Sequence, residues 1–359
     1  MATLSINTEK ILDNIKKLNK YLSRNNIEWT LVTKMLCGNK PALEKILFDP
    51  EIKNLHSLGD SRLTNLRAIK EIAPDTITMY IKPPPPNIAA SIIKYCDISL
   101  NSSLSTIEKL NVEAGKQGKI HRIIVMIEMG ELREGIVRDE ILKFYEKIFK
   151  LENINIIGIG TNLGCMYGVE PTYDKLIQLS LYKSLIDVKF GTNLELISGG
   201  TSITLPLIER KKVPAAINHF RVGEAALLGV SPLDGKQFRN LSTNTIEFSA
   251  EILEISKKEA VPDGVIGEGN VGHTADFDES ENKESYRCIV DFGQLDVDVN
   301  NIIPKDETIS FVGTTSDMTV YDLGNNINGT KVGGQLQFRP NYTSIARLMN
   351  SRYMTKKII

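Results

Sequence analysis

"RIIVMIEM", residues 122–129, is apolar at almost every position until Glu128. A strand with one wet face alternates apolar and polar residues. A near-continuous apolar run belongs instead to a strand covered on both faces, as in a parallel sheet under helices. Seven further runs read the same way: "WTLVTK" (29–34), "LHSLGD" (55–60), "ITMYIK" (77–82), "DISLN" (97–101), "INIIGIGTNL" (154–163), "LELISGG" (194–200) and "HFRVGEAALL" (219–228). Helical patterns separate them. In the first, Ile11, Ile15, Leu18 and Leu22 share one helix face. Ahead of "TIEKLNVEAGKQ", the stretch from Asn101 to Ser105 supplies capping residues. Strand–helix alternation repeated eight times predicts a closed (β/α)8 barrel of the TIM type, spanning residues 8–235.

Past residue 235 the texture changes. "NTIEFSAEILEIS", "SYRCIVDFGQLDVDV" and "ETISFVGTTSDMTVYDL" alternate like antiparallel strands joined by turns. They predict a C-terminal, mostly-β domain over residues 236–359, to which residues 1–7 add a strand. "ESENKES" (279–285) reads as a solvated mobile loop, and "PPPP" (83–86) as a stiff extended connection.

A chain of 359 residues with 42% hydrophobic and 24% charged residues has ordinary globular composition. Its 43 basic side chains balance 44 acidic ones and form no cluster suited to nucleic acid, which leaves small-molecule chemistry. No apolar stretch is long enough to span a bilayer, and the N-terminus lacks the apolar core of a signal peptide. A cytoplasmic location without membrane partners is therefore expected. Cys37, Cys96, Cys165 and Cys288 are far apart, as are the four histidines, so neither a disulfide framework nor a metal site is expected.

In a barrel of this kind, chemistry gathers where strands end and helices begin. Lys34, Asp60, Lys82, Asn101, Arg133, Asn162, Gly199–Gly200 and Arg221 all fall at or near that face. A lysine there either snorkels to the rim or, desolvated, becomes an amine able to form a Schiff base with a carbonyl substrate or with pyridoxal phosphate. "ISGGTS" (197–202) offers a phosphate cradle: glycines that permit close approach, then the hydroxyls of Thr201 and Ser202 at a helix start. In "FRVGEAALLG" (220–229), Gly223 could complete that cradle, while Arg221 either serves the same site or pairs with Glu224 at the surface.

Over essentially the whole chain, the ordered segments "VTKMLCGN", "DSRLTNL", "ISLNS", "GELREGI", "SGGTS", "RVGEAALLG" and "DFGQLDVDV" resemble the alanine/ornithine racemase family, pyridoxal-phosphate enzymes of fold type III. The resemblance is greatest to the ornithine-racemase-like branch. It implies a barrel, a β-domain and a head-to-tail homodimer with shared active sites. The implied reaction interconverts L- and D-amino acids by removing the α-proton while the substrate is joined to the cofactor. The implied substrate is ornithine, another larger amino acid or alanine. By position, Lys34 matches the lysine that carries the cofactor and acts as one catalytic base. Ser198, Gly200, Thr201, Ser202 and the backbone of Gly223 and Glu224 match the cofactor site, with Ser202 and Gly223–Glu224 at the phosphate. Arg221 matches the arginine facing the pyridine nitrogen, and Arg133 the one near the cofactor's phenolic oxygen and the substrate carboxylate. Tyr353 matches a tyrosine contacting the phosphate.

The resemblance has gaps. In "VPDGVIGEG" (261–269), Val265 stands where alanine racemases place a tyrosine as second base, and a valine cannot move a proton. Asp263, Glu268, His273, Tyr286 and Cys288 are the candidate replacements nearby in sequence. Met126 stands where many relatives have a lysine that holds the arginine at position 133. Asn162 replaces a histidine packed on the cofactor ring. Two alternatives follow: a non-catalytic pyridoxal-phosphate-binding or regulatory protein, and a lyase. The lyase normally calls for His and Cys metal ligands near the C-terminus, where this chain has none beyond His273 and Cys288.

Overall fold

The computed structural model describes residues 1–265, 267, 272–274 and 284–359. Glu268 and most of "ESENKES" therefore lie outside the described residues. After strand β1 (Thr3–Ile6) and helix α1 (Thr8–Ser23), eight strands close into a barrel: β2 (Glu28–Val32), β3 (Ser57–Asp60), β4 (Thr78–Tyr80), β5 (Ile98–Asn101), β6 (His121–Met126), β7 (Ile154–Gly160), β8 (Leu196–Thr201) and β9 (His219–Val222). All eight are parallel, and β9 closes the ring on β2 through the pairs Trp29↔Phe220 and Thr30↔Arg221.

Every strand sits inside its sequence run or within one residue of it, and most are shorter. The run 219–228 divides. Its strand stops at Val222, and Gly223 caps a short helix over Glu224–Leu228. Helices on the outer ring include α2 (Lys40–Leu47), α3 (Leu63–Ile72), α4 (Ala89–Tyr95), α5 (Leu104–Lys116), α6 (Ile141–Ile148) and α7 (Tyr173–Phe190), followed by the short α8 (Leu205–Glu209) and α9 (Glu224–Leu228). Ile11, Ile15, Leu18 and Leu22 of α1 are buried on one face, as their spacing requires.

The barrel core is not uniform. Met79, Ile98, Leu100, Ile124, Met126, Ile157 and Leu196 form one apolar cluster. The adjacent strands β8, β9, β2 and β3 instead bury Ser198, His219, Thr30 and Ser57. A barrel interior with no water must satisfy such groups internally, and these bond to one another.

Residues 8–243 pack as one compact unit, and residues 1–7 with 244–359 as another. In the second unit β10 (Ile246–Lys258), β11 (His273–Thr274), β12 (Ser285–Val290), β13 (Ile302–Pro304), β14 (Ser310–Thr314), β15 (Thr319–Asp322), β16 (Gln335–Pro340) and β17 (Thr355–Ile358) join β1 in a sheet ordered β11-β14-β15-β12-β10-β1-β17. Off this path β16 pairs with both β10 and β13. The first strand of the chain lies between β10 and β17. Phe248, Phe292, Tyr321 and Phe338 form its aromatic centre, with Phe248 and Phe292 edge to face at 5.2 Å. The alternating pattern missed one helix, α10 (Tyr342–Asn350), whose Asn341 caps its start by accepting from Ser344 N at 3.0 Å.

Candidate active site

The stretch around Lys34 ends differently from the sequence reading. Strand β2 stops at Val32, and Lys34 is the first residue of a 3-10 turn running to Leu36. Cys37 (φ 51°) and Gly38 (φ 70°) then both take the left-handed conformation. A Cβ at Gly38 would lie 2.8 Å from Asn65 Oδ1, so only glycine fits that approach. Below the turn, Thr33 Oγ1 donates to the buried carboxylate of Asp60 at 3.1 Å, which also accepts from Arg62 N and Asn65 Nδ2. Burial pushes the Asp60 carboxyl up from its usual range despite those donors. Of the two readings the sequence left open, the structure matches the rim: Lys34 is exposed, because the turn lifts it past the closed end of the strand.

Lys34 still acts electrostatically on Glu224, whose carboxyl is raised by burial and drawn back by the Lys34 charge. A Cβ at Gly223 would meet Val32 Cβ at 3.0 Å, so the ends of β2 and β9 are in contact. Beside them the Ser202 hydroxyl is buried and accepts from Gly223 N at 3.3 Å and Ala225 N at 3.2 Å. A Cβ at Gly200 would lie 2.2 Å from the Phe220 ring. Glycine there lets β8 and β9 close around that side chain. Thr201 and Thr204 bond each other's backbone in a capping box that starts the turn bearing Ser202.

Arg221 is buried and does not pair with Glu224. Its guanidinium donates to Ser198 O at 3.2 Å, to Ser198 Oγ, and to Thr161 O and Asn162 Oδ1, both at 2.7 Å. Every one of these acceptors is neutral, and burial pushes the Arg221 pKa down to about 10. Asn162 Nδ2 in turn donates to Glu134, and Glu134 receives the fork of Arg133. That pairing raises the Arg133 pKa above its usual value. The structure thus joins Arg221, Asn162, Glu134 and Arg133 into one chain across the barrel mouth. Arg133 also reaches Cys165 Sγ.

Two carboxylates shape the segment bearing Arg133. Glu128 accepts from Leu132 N at 3.0 Å and Arg133 N at 3.2 Å, folding the segment back on itself. Glu131, 2% exposed, accepts from Cys165 N, Tyr167 N and Val169 N at 3.0–3.4 Å and ties it to the segment after β7. Glu128, Glu131, Glu134 and His219 are functional-site residues that the sequence reading did not single out. The readable signals were three carboxylates around "MGELREG" and polar residues two apart in the otherwise apolar "HFRV".

Tyr353 is exposed in the second unit, in the turn before β17, with the Arg352 guanidinium 5.4 Å from its ring centre. Val265 is fully exposed. Cys288 is buried in β12, and burial pushes its thiol up to about 11. Asp263, His273 and Tyr286 belong to the second unit as well. Lys82 lies 5.9 Å from the Tyr80 ring centre, and Met126 is in the apolar barrel cluster. At the end of β5, Asn101 Oδ1 is buried with no partner among the described residues. Among the described residues no three His, Cys, Asp or Glu side chains converge as a metal site. No described helix is long and apolar enough to cross a membrane.

Residues 6–232 match the family described as alanine racemase, N-terminal domain. The chain is 30% identical to the ornithine racemase of Acetoanaerobium sticklandii over 357 residues, covering 99% of both chains. It is also 30% identical to the lysine racemase of Thermotoga maritima, covering 98% of this chain and 97% of the relative. The crystal structure of alanine racemase from Bartonella henselae with covalently bound pyridoxal phosphate shares the fold at TM-score 0.75 and 16% identity, covering 100% of this chain and 99% of the other.

Proposed function

The chain belongs to the alanine racemase family and is an amino-acid racemase, an isomerase; from that premise we propose that it uses pyridoxal phosphate on Lys34 to interconvert the enantiomers of ornithine or another larger amino acid. One observation carries the substrate preference. The relatives matching nearly end to end at 30% identity act on amino acids with long basic side chains, while the alanine racemase shares the fold at 16%.

The donor set fits the cofactor. Lys34 offers an exposed amine within electrostatic reach of Glu224. Ser202 with the amides of Gly223 and Ala225 offers a compact set of phosphate donors beside it. Arg221 offers a fixed cation with neutral acceptors behind it. When bound, pyridoxal phosphate supplies an electron sink for the pair left at the α-carbon.

The residues then divide the work. Lys34 Nζ takes the α-proton from one face or returns it there. Ser202 and the backbone of Gly223 and Glu224 would hold the phosphate, with Ser198, Gly200 and Thr201 shaping the wall and Asn162 lying between Arg221 and Glu134. Arg221 would present only N–H donors to the ring nitrogen, a partner suited to an unprotonated nitrogen. A weak sink of this kind suits proton removal and return better than decarboxylation. Arg133 orients the substrate carboxylate, exchanging part of its bond to Glu134 for the ligand. Tyr353 is proposed as a phosphate contact, the assembly as a homodimer with shared sites, and the location as cytoplasmic.

The test is α-proton exchange in D₂O with cofactor-loaded protein and a panel of L- and D-amino acids, reading mass and chirality together. Ornithine or lysine should gain deuterium and lose handedness. Lys34→Ala should remove both turnover and the visible absorbance of bound cofactor. Retained turnover in Lys34→Ala overturns the role of Lys34. Exchange confined to alanine overturns the substrate class.

A further inference from the structure

Arg221 is held from below by a buried polar line that, beyond Ser198, the racemase reading does not use. Ser198 Oγ accepts from Arg221 and lies 2.8 Å from His219 Nδ1. His219 Nε2 lies 3.0 Å from Thr30 Oγ1, which lies 2.7 Å from Ser57 Oγ, which lies 3.1 Å from His56 Nδ1. The four central residues, Ser198, His219, Thr30 and Ser57, are at most 2% exposed and come from four neighbouring strands, β8, β9, β2 and β3. His56 is less buried, and it lines a cavity at the N-terminal end of the barrel with Trp29, Asn19 and Asn54.

One assignment of donors and acceptors gives every hydroxyl and ring N–H in this line a partner. A guanidinium only donates, so Ser198 Oγ accepts from Arg221. The Ser198 hydroxyl proton then needs an acceptor, and His219 Nδ1 is the one within reach. With Nδ1 accepting, a neutral His219 carries its proton on Nε2 and donates it to Thr30. Thr30 passes its own proton to Ser57 at 2.7 Å rather than to the Met79 sulfur at 3.8 Å, and Ser57 passes its proton to His56.

We propose that His219 is a positioning residue for Arg221, acting through Ser198 as a link in a single directed hydrogen-bond chain that crosses the barrel to His56. With its proton committed to His219, the Ser198 oxygen is a stronger acceptor for the arginine, as in any polarised chain of hydrogen bonds. An imidazolium would leave the Ser198 proton without an acceptor. Burial and the nearby Arg221 and His56 also keep His219 neutral. The arginine is therefore fixed in place by dipoles, without an opposing charge in direct contact. The consequence for the cofactor ring rests on the proposed function; the chain itself does not.

Two measurements test it. In ¹⁵N-histidine-labelled protein, the His219 signals, identified by their loss in His219→Asn, should show an unprotonated Nδ1 and a protonated Nε2. A protonated Nδ1, or an imidazolium at neutral pH, overturns the chain. In the cofactor-loaded enzyme, His219→Leu should lower kcat about tenfold, the worth of one buried hydrogen bond, with little change in KM. It should also shift the absorbance of bound pyridoxal phosphate, and His219→Asn, which keeps an acceptor near the Nδ1 position, should restore much of both. A folded His219→Leu enzyme with unchanged absorbance and kcat overturns the positioning role. If His219→Leu fails to fold, the tautomer of the unaltered protein decides. Failure to bind pyridoxal phosphate at all counts against the proposed function and leaves the tautomer result standing.

Discussion

Two arginines at the barrel mouth are held in opposite ways. Arg221 rises from a strand, is 5% exposed and meets only neutral oxygens. Arg133 sits in an irregular segment after β6, its side chain is 35% exposed and its fork is occupied by the Glu134 carboxylate. The first arrangement keeps a positive charge uncancelled at a fixed point. The second keeps a charge neutralised until something displaces the carboxylate. A fixed cation suits a permanent cofactor, and an exchangeable one suits a substrate that arrives and leaves each turnover.

Removing each charge should expose the difference. Arg221→Leu leaves Ser198, Thr161 O and Asn162 Oδ1 without their buried donor. Stability should fall by about 3 kcal/mol or more, since each orphaned group costs about 1–3 kcal/mol. Urea denaturation with and without cofactor checks this, and an unchanged midpoint would break the claim that Arg221 is structural as well as functional. Glu131→Gln comes next. It replaces a buried carboxylate that accepts from three backbone amides by a group with one oxygen, at about 2 kcal/mol. The loss should be local, read as faster amide exchange in residues 163–169 with the barrel strands unaffected.

Arg133→Ala should act mainly on binding. In the proposed role it removes an orienting contact for the substrate carboxylate, so KM should rise about tenfold or more with a smaller fall in kcat. Glu134→Gln should move KM the other way, because Arg133 no longer has a carboxylate to exchange. Equal effects of Arg133→Ala on kcat and KM would place that arginine with Arg221 and dissolve the contrast.

The contrast also marks what the sequence could reveal. The barrel was legible because strands buried on both faces must be apolar along their length, and helices between them must repeat every three to four residues. Arg221 and Lys34 were legible as charges interrupting such runs. Their surroundings were not. Whether Lys34 ends buried or exposed depends on left-handed Cys37 and Gly38, a turn geometry that periodicity does not encode. The partners of Arg221 come from positions 161, 162 and 198, brought together only by barrel closure. The helix α10 was lost because its stretch follows a run of alternating strands and carries no strong stop signal.

The smallest expected effect concerns how the support of Arg221 responds to acid. His56 and His121 have pKa values lowered to about 4, and His219 lies well below the ordinary histidine value, in each case chiefly through burial. The sign follows from proton counts. Below about pH 6.5 the unfolded chain binds protons at these positions and the folded chain does not, so stability is complete above that value and falls as pH drops through it. From pH 7 to pH 6 each such histidine should remove about 0.7 kcal/mol. His219→Asn removes one of the three, so the stability difference between pH 7 and pH 6 should shrink by about that amount, measured by denaturant titration at both values. An unchanged difference would mean that His219 already carries a proton in the folded barrel. Arg221 would then face a second buried cation, and its support would no longer differ in kind from that of Arg133.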